Sequence, residues 1–259
     1  MLNYWRRRPV RFKREMDTYF RSHCTNVTPE SHDKNLLSLV ENGFLVLPGY
    51  HDRADIQPIH DKAYALLEQV RQGVSLPDAR VLDYGEDGIY RLRDVEHHIP
   101  EAAGILNDKY LRSLLAMYLQ GSPVLAKSDY IDYKPDLKHD HTSVLHMDSF
   151  KSQLKIFTLL SDVGEKTAPL VYWSKTHRDG AWRRRFDYLY WLGDFVGTHG
   201  HVPITSLREL REKGGADAPQ EVKVTGPAGT VVIADTRGIH RASCLVEGYR
   251  LEMVQKFSL

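Results

Sequence analysis

His146 and Asp148 stand two residues apart in the otherwise apolar run Val144-Leu145-His146-Met147-Asp148-Ser149-Phe150. On a strand, side chains two apart share a face, so this imidazole and this carboxylate can reach one metal ion from one wall of a pocket. Such a site needs a third donor from elsewhere, and the best candidate is His240, which closes the run Gly229-Thr230-Val231-Val232-Ile233-Ala234-Asp235-Thr236-Arg237-Gly238-Ile239-His240. Two imidazoles and one carboxylate form a donor set that suits Fe(II) and leaves three coordination positions open for a co-substrate and O2. Arg250 follows on the next strand-like run, where a planar guanidinium can grip a carboxylate bidentately. Period two also puts Glu252 on the face of Arg250, so an ordinary ion pair along the strand is the competing reading. His146 and Asp148 have a plain alternative too, as turn caps beside His139, Asp140 and His141, of which the two histidines read as solvated loop residues.

These groups need strands to position them, and strands crowd the second half of the chain. Runs rich in β-branched and aromatic residues fall at 124–133, 144–150, 153–160, 170–173, 230–234, 240–245 and 249–257. Earlier, Phe44 to Leu47 reads as a strand, with shorter ones at 80–84 and 89–93. Apolar residues at helical spacing predict helices at 10–22, 35–41, 55–72 and 101–117. Many short strands with polar turns predict a fold that is mainly β with flanking α-helices, built on a double-stranded β-helix core of the jelly-roll, cupin-like type. The interval 174–225 is long for a connection between neighbouring core strands, which marks it as an insertion or lid. It holds the aromatic and basic cluster 182–191, including Arg183, Arg184 and Arg185. That cluster reads either as a helix with its aromatic stripe on the barrel and its arginines in water, or as a rim recognising an anionic substrate.

The ordered set His146-x-Asp148, His240 and Arg250 resembles the phytanoyl-CoA dioxygenase-like family of Fe(II)- and 2-oxoglutarate-dependent dioxygenases. Asn42-Gly43-Phe44-Leu45-Val46-Leu47-Pro48-Gly49 is similar to that family's opening strand. Ala168-Pro169-Leu170-Val171-Tyr172-Trp173-Ser174-Lys175-Thr176-His177 resembles its strand ending in a Pro-Gly-Ser-His turn, with His177 as the turn histidine. The resemblance implies Fe(II), 2-oxoglutarate and O2 as cofactors and co-substrates, with His146, Asp148 and His240 as the metal ligands and catalytic centre. It implies that Arg250 pairs the far carboxylate of 2-oxoglutarate. Lys127 and Tyr130 lie on opposite faces of a strand it places beside the metal, and each is a candidate co-substrate or substrate contact. Phe157 falls where some relatives carry an aromatic near the co-substrate, and Lys155 shares its face. Ala242 stands where many members have a serine, so one hydrogen bond to 2-oxoglutarate is lost or supplied by another group. Asp148 is retained where halogenating relatives carry a small residue, so the implied reaction is hydroxylation of an unactivated C–H bond of a small-molecule or biosynthetic intermediate, with 2-oxoglutarate decarboxylated to succinate. Desaturation, epimerisation or cyclisation at the same site is the second reading, and a cupin-like metal-binding protein without turnover is the third.

A chain of 259 residues with 42% hydrophobic content can bury one substantial core, so we expect a single domain over 1–259. The formal net charge of +1 gives no global pull toward nucleic acid. The charge is uneven, however. Residues 1–14 carry six basic side chains and no acid, within a basic and aromatic extension over 1–35 that reads as a helix packed on the barrel, or alternatively as a contact with an anionic membrane. Cys24 and Cys244 are far apart and form no Cys-x-x-Cys spacing, which argues against a disulfide framework or zinc-thiolate site and for a reducing cytoplasm. No run approaches the roughly 18 apolar residues of a spanning helix. The expected partner is a small-molecule substrate, anionic or carrier-linked given the arginine cluster.

Overall fold

The computed structural model describes residues 33–76, 81–84, 88–121, 124–135, 144–148, 153–178, 183, 208, 211–212, 215 and 218–258. The basic extension with its expected helix at 10–22, Cys24, His139, His141 and most of the cluster 182–191 lie outside these residues. The chain enters through α1 (Lys34–Asn42), β1 (Phe44–Leu47) and α2 (Arg53–Arg71), then β2 (Val81–Tyr84) and β3 (Ile89–Arg93). The helix expected at 101–117 is divided: short turns run from Val95 to Leu106, and α3 (Lys109–Leu119) begins only after Asp108, whose carboxylate accepts the Leu111 amide at 2.8 Å as an N-cap. The remaining strands are β4 (Val124–Lys134), β5 (Gln153–Leu159), β6 (Leu170–Trp173), β7 (Glu221–Val224), β8 (Val231–Asp235), β9 (His240–Ala242) and β10 (Arg250–Ser258).

Two antiparallel sheets result. The large one has the order β1-β8-β5-β10-β4-β3-β2, and the small one β7-β6-β9. β7 was not foreseen; its alternating Glu221-Val222-Lys223-Val224 exposes two charges and buries only Val224, leaving little apolar signal. It pairs with β6 inside the last part of the 174–225 interval.

Parity assigns the described side chains of the large sheet to its two faces. On the outer face, Leu92, Ile131, Tyr133, Leu251 and Met253 meet Ile56, Ile59, Ala63 and Leu67 of α2. Beside them Leu154, Ile156, Val231, Ile233 and Phe257 meet Leu36 and Leu39 of α1 and Leu111, Leu114 and Leu115 of α3. Each such fully buried aliphatic side chain contributes about 1.5–3 kcal/mol, so these two layers hold the helices on the sheet. On the inner face Tyr130, Phe157, Val232, Ala234 and Val254 meet Leu170, Tyr172 and Val224 of the small sheet. The inner face of β4 therefore carries Tyr130, Asp132 and Lys134, while Tyr133 turns outward and donates its hydroxyl to Glu68 at 2.8 Å. No helix among the described residues is long and apolar enough to cross a membrane.

α1 ends at Gly43, whose φ of 81° is left-handed and whose amide donates to the Leu39 carbonyl at 2.8 Å. A Cβ at this position would run into Tyr172 and His177. Gly43→Ala is expected to cost about 2–5 kcal/mol, combining the left-handed penalty with overpacking. A lower urea midpoint at unchanged slope checks it; a midpoint equal to wild type contradicts it.

Candidate metal centre

His146 lies one step beyond the edge of the small sheet. It forms an isolated antiparallel bridge with His240, and their amides and carbonyls exchange two hydrogen bonds of 2.9 Å. The Asp148 amide adds a third backbone bond, to the Thr236 carbonyl at 2.9 Å. The described part of the expected strand 144–150 is thus a single bridge, which still sends His146 and Asp148 to one side. The two imidazole ring centroids are 4.4 Å apart. His146 Nδ1 is 2.7 Å from the Val144 carbonyl and His240 Nδ1 is 2.9 Å from the Gly238 carbonyl. Each Nδ1 must carry the proton to donate there, which leaves both Nε2 lone pairs free. Both Nε2 atoms lie 3.8 Å from Asp148 Oδ1, and one donor atom from each of the three residues falls within 4.8 Å of the others.

The electrostatics leave all three groups in their ligand forms. Burial pushes His146 down to about 3, with His240 adding to the effect, and burial likewise lowers His240. Burial acts to raise Asp148, but the Lys155 ammonium, 2.7 Å from Oδ2, outweighs it and holds the carboxylate well below its usual range. Two neutral imidazoles and an ionised carboxylate need give up no proton to take a divalent cation. The donor set fits Fe(II).

A cleft opens from this wall along the inner faces of β3, β4, β5 and β10. Its charges are arranged in pairs. Arg91 grips Asp132 bidentately at 2.6 and 2.8 Å and lies 3.9 Å over the Tyr130 ring. Lys134 donates to Glu252 Oε1 at 2.6 Å, while Arg250 pairs with Oε2 of the same carboxylate and donates to the Ala168 carbonyl. Burial acts to raise Glu252, but these two cations override it and bring the carboxyl down to about 2. Two cations thus share one anion at the far wall, and the buried Arg250 Nε has no hydrogen-bond partner among the described residues.

His146, Asp148 and His240 come together as their spacing suggested, and Arg250, Tyr130 and Phe157 all line the cleft. The Lys127 side chain lies outside the described residues. Arg250 does both things the sequence allowed, facing the cleft and pairing with Glu252. Ala242 lines the cleft and offers no hydroxyl. His177 is buried and structural, its Nε2 donating to the Val40 carbonyl at 3.0 Å. Sequence reasoning missed Arg91, Asp132 and Lys134. The alternation of charged residues with Ile131 and Tyr133 along β4 was the available signal, but it becomes readable only once the inward face is known. Arg183 fits neither reading of its cluster: it is 2% exposed, so it is not in water, and it does not line the cleft.

Two antiparallel sheets packed face to face, with the His-x-Asp segment and the second histidine on the seam, are a jelly-roll core. Solved structures share it. AviO1 from Streptomyces viridochromogenes Tue57 matches with a TM-score of 0.58 at 16% identity, covering 90% of this chain and 96% of that one. EctD from S. alaskensis, solved with 2-oxoglutarate and 5-hydroxyectoine, has a TM-score of 0.65 at 16% identity over 89% of this chain and 78% of its own. SnoK, a non-heme alpha-ketoglutarate-dependent carbocyclase from nogalamycin biosynthesis, has a TM-score of 0.56 at 18% identity over 88% and 84%. No family model matches the chain, and no curated protein matches it in sequence. At these identities the likeness establishes the fold.

Proposed function

We propose that this chain is an Fe(II)- and 2-oxoglutarate-dependent oxygenase of the phytanoyl-CoA dioxygenase-like kind, hydroxylating an unactivated C–H bond of a small molecule. The observation that carries this reading is the convergence of His146 Nε2, His240 Nε2 and the Asp148 carboxylate at the mouth of a cleft whose far wall is cationic. Bound Fe(II), with 2-oxoglutarate and O2, would supply the oxidising power and yield succinate and carbon dioxide.

The residues divide the remaining work. His146, Asp148 and His240 hold the metal, and the Val144 and Gly238 carbonyls fix the tautomer and angle of the two rings. Lys155 bonds to Asp148 Oδ2, so the opposite oxygen is the one presented to the ion. Arg250, with Lys134 beside it, would receive the far carboxylate of 2-oxoglutarate. Phe157, Leu170 and Val254 supply apolar wall that excludes water from the reacting end. The cationic lining and Lys155 support an anionic or carrier-linked substrate. A second reading, ring formation or epimerisation at the same site, draws on the shared fold of SnoK, in which the reaction differs while the co-substrate is the same.

The test is purified protein with Fe(II), ascorbate and labelled 2-oxoglutarate under air. Slow succinate formation without added substrate, abolished by a chelator and restored by Fe(II), is expected. If calorimetry shows metal binding but no binding or turnover of 2-oxoglutarate, the chain is a non-catalytic metal-binding protein instead.

A further inference from the structure

We infer that Arg183 is a positioning residue for the metal centre, clamping the two ligand-bearing segments together from behind without touching a ligand atom. An arginine this deeply buried is unfavourable unless its donors find partners, and the partners identify its role. Nη1 donates to the Thr176 carbonyl at 2.6 Å and to the Arg237 carbonyl at 2.9 Å, and Nη2 points at Met147 Sδ at 3.0 Å. Met147 lies between His146 and Asp148, and by period two its side chain leaves the opposite face of that segment, where it is 3% exposed. The Arg237 carbonyl belongs to the peptide joining Arg237 to Gly238, and the Gly238 carbonyl is the group that orients His240 Nδ1 at 2.9 Å.

Thr176 closes the circuit. Its carbonyl takes Arg183, while its hydroxyl accepts the amide of Ile239, the residue before His240, at 2.8 Å. One guanidinium therefore ties the turn after β6, the approach to His240 and the back of the His146–Asp148 segment into a single unit. Thioether sulfur is a weak acceptor, so its contact with Nη2 sets position more than it holds the segment. The two carbonyl bonds fix the guanidinium on the approach to His240, and the Met147 contact seats the back of the His146–Asp148 segment against it. Loss of Arg183 would leave the Arg237–Gly238 peptide with its Asp235 bond and the next peptide with its Thr176 bond, and would loosen Thr176 itself, so the His240 ring would be held less firmly. This inference rests on the metal reading above and not on the identity of co-substrate or substrate.

Anaerobic Co(II) titration, read by its ligand-field absorption, tests the idea alongside thermal melting of the metal-free protein. Wild type should bind Co(II) with a single saturating spectrum; if it does not, the metal reading itself fails. Arg183→Met should weaken Co(II) binding about 10–100-fold, the usual consequence of losing an outer-shell partner, and alter the band shape. Arg183→Lys keeps the buried charge but cannot span all three segments, so it should recover part of the affinity. It also decides the matter if Arg183→Met does not fold: wild-type affinity and spectrum in Arg183→Lys would overturn the inference. A melting temperature that falls while Co(II) affinity and spectrum stay at wild type would likewise reduce Arg183 to a structural anchor.

Discussion

His240→Ala and His146→Ala should each yield a folded protein that has lost its metal and all 2-oxoglutarate turnover. Removal of one donor from a three-residue set costs more than the roughly 10–100-fold typical of an outer-shell loss. The metal-free fold has little reason to suffer. Each ring makes one hydrogen bond, to a carbonyl two residues upstream, and loss of that bond costs on the order of 1–3 kcal/mol at most. The backbone bonds that join His146 to His240 do not involve the side chains and survive both substitutions. Co(II) titration and circular dichroism on the same samples check the two halves of the expectation. Wild-type metal affinity in His240→Ala would remove the basis of the oxygenase reading.

Arg250→Met should raise the KM for 2-oxoglutarate by about 30-fold to several thousandfold, as truncation of one member of a buried charge pair costs about 2–5 kcal/mol and each 1.4 kcal/mol is tenfold. The same substitution leaves Glu252, 1% exposed, with only Lys134 as its cationic partner among the described residues, so a loss of folding stability is expected as well. Adding Glu252→Gln separates the two effects. The double variant should recover stability, because the stranded charge is gone, while the KM stays high. If stability and KM recover together, Arg250 serves Glu252 and not the co-substrate.

How much of this was legible beforehand follows from how far each signal reaches along the chain. His146 and Asp148 share a face for local reasons, and a single bridge suffices to produce it. His240 and Arg250 were recognisable through the order of four short segments, a signal that local periodicity alone does not carry. The inward face of β4 was not legible, because Tyr130, Asp132 and Lys134 alternate with Ile131 and Tyr133, and an aromatic or charged residue is tolerable on either side until α2 covers one of them. Arg183 was misread for a related cause. Nothing in a run of three arginines says that Arg183 turns inward, and two of its partners are carbonyls, which every residue has.

The cleft charges Arg91, Asp132, Lys134, Arg250 and Glu252 all stand on the large sheet, whereas His146 and His240 belong to the rim of the small one. On the proposed reading, changes at Arg91 or Asp132 should alter the cleft lining without touching a metal ligand, and combinatorial libraries at those two positions should retain metallation across most members.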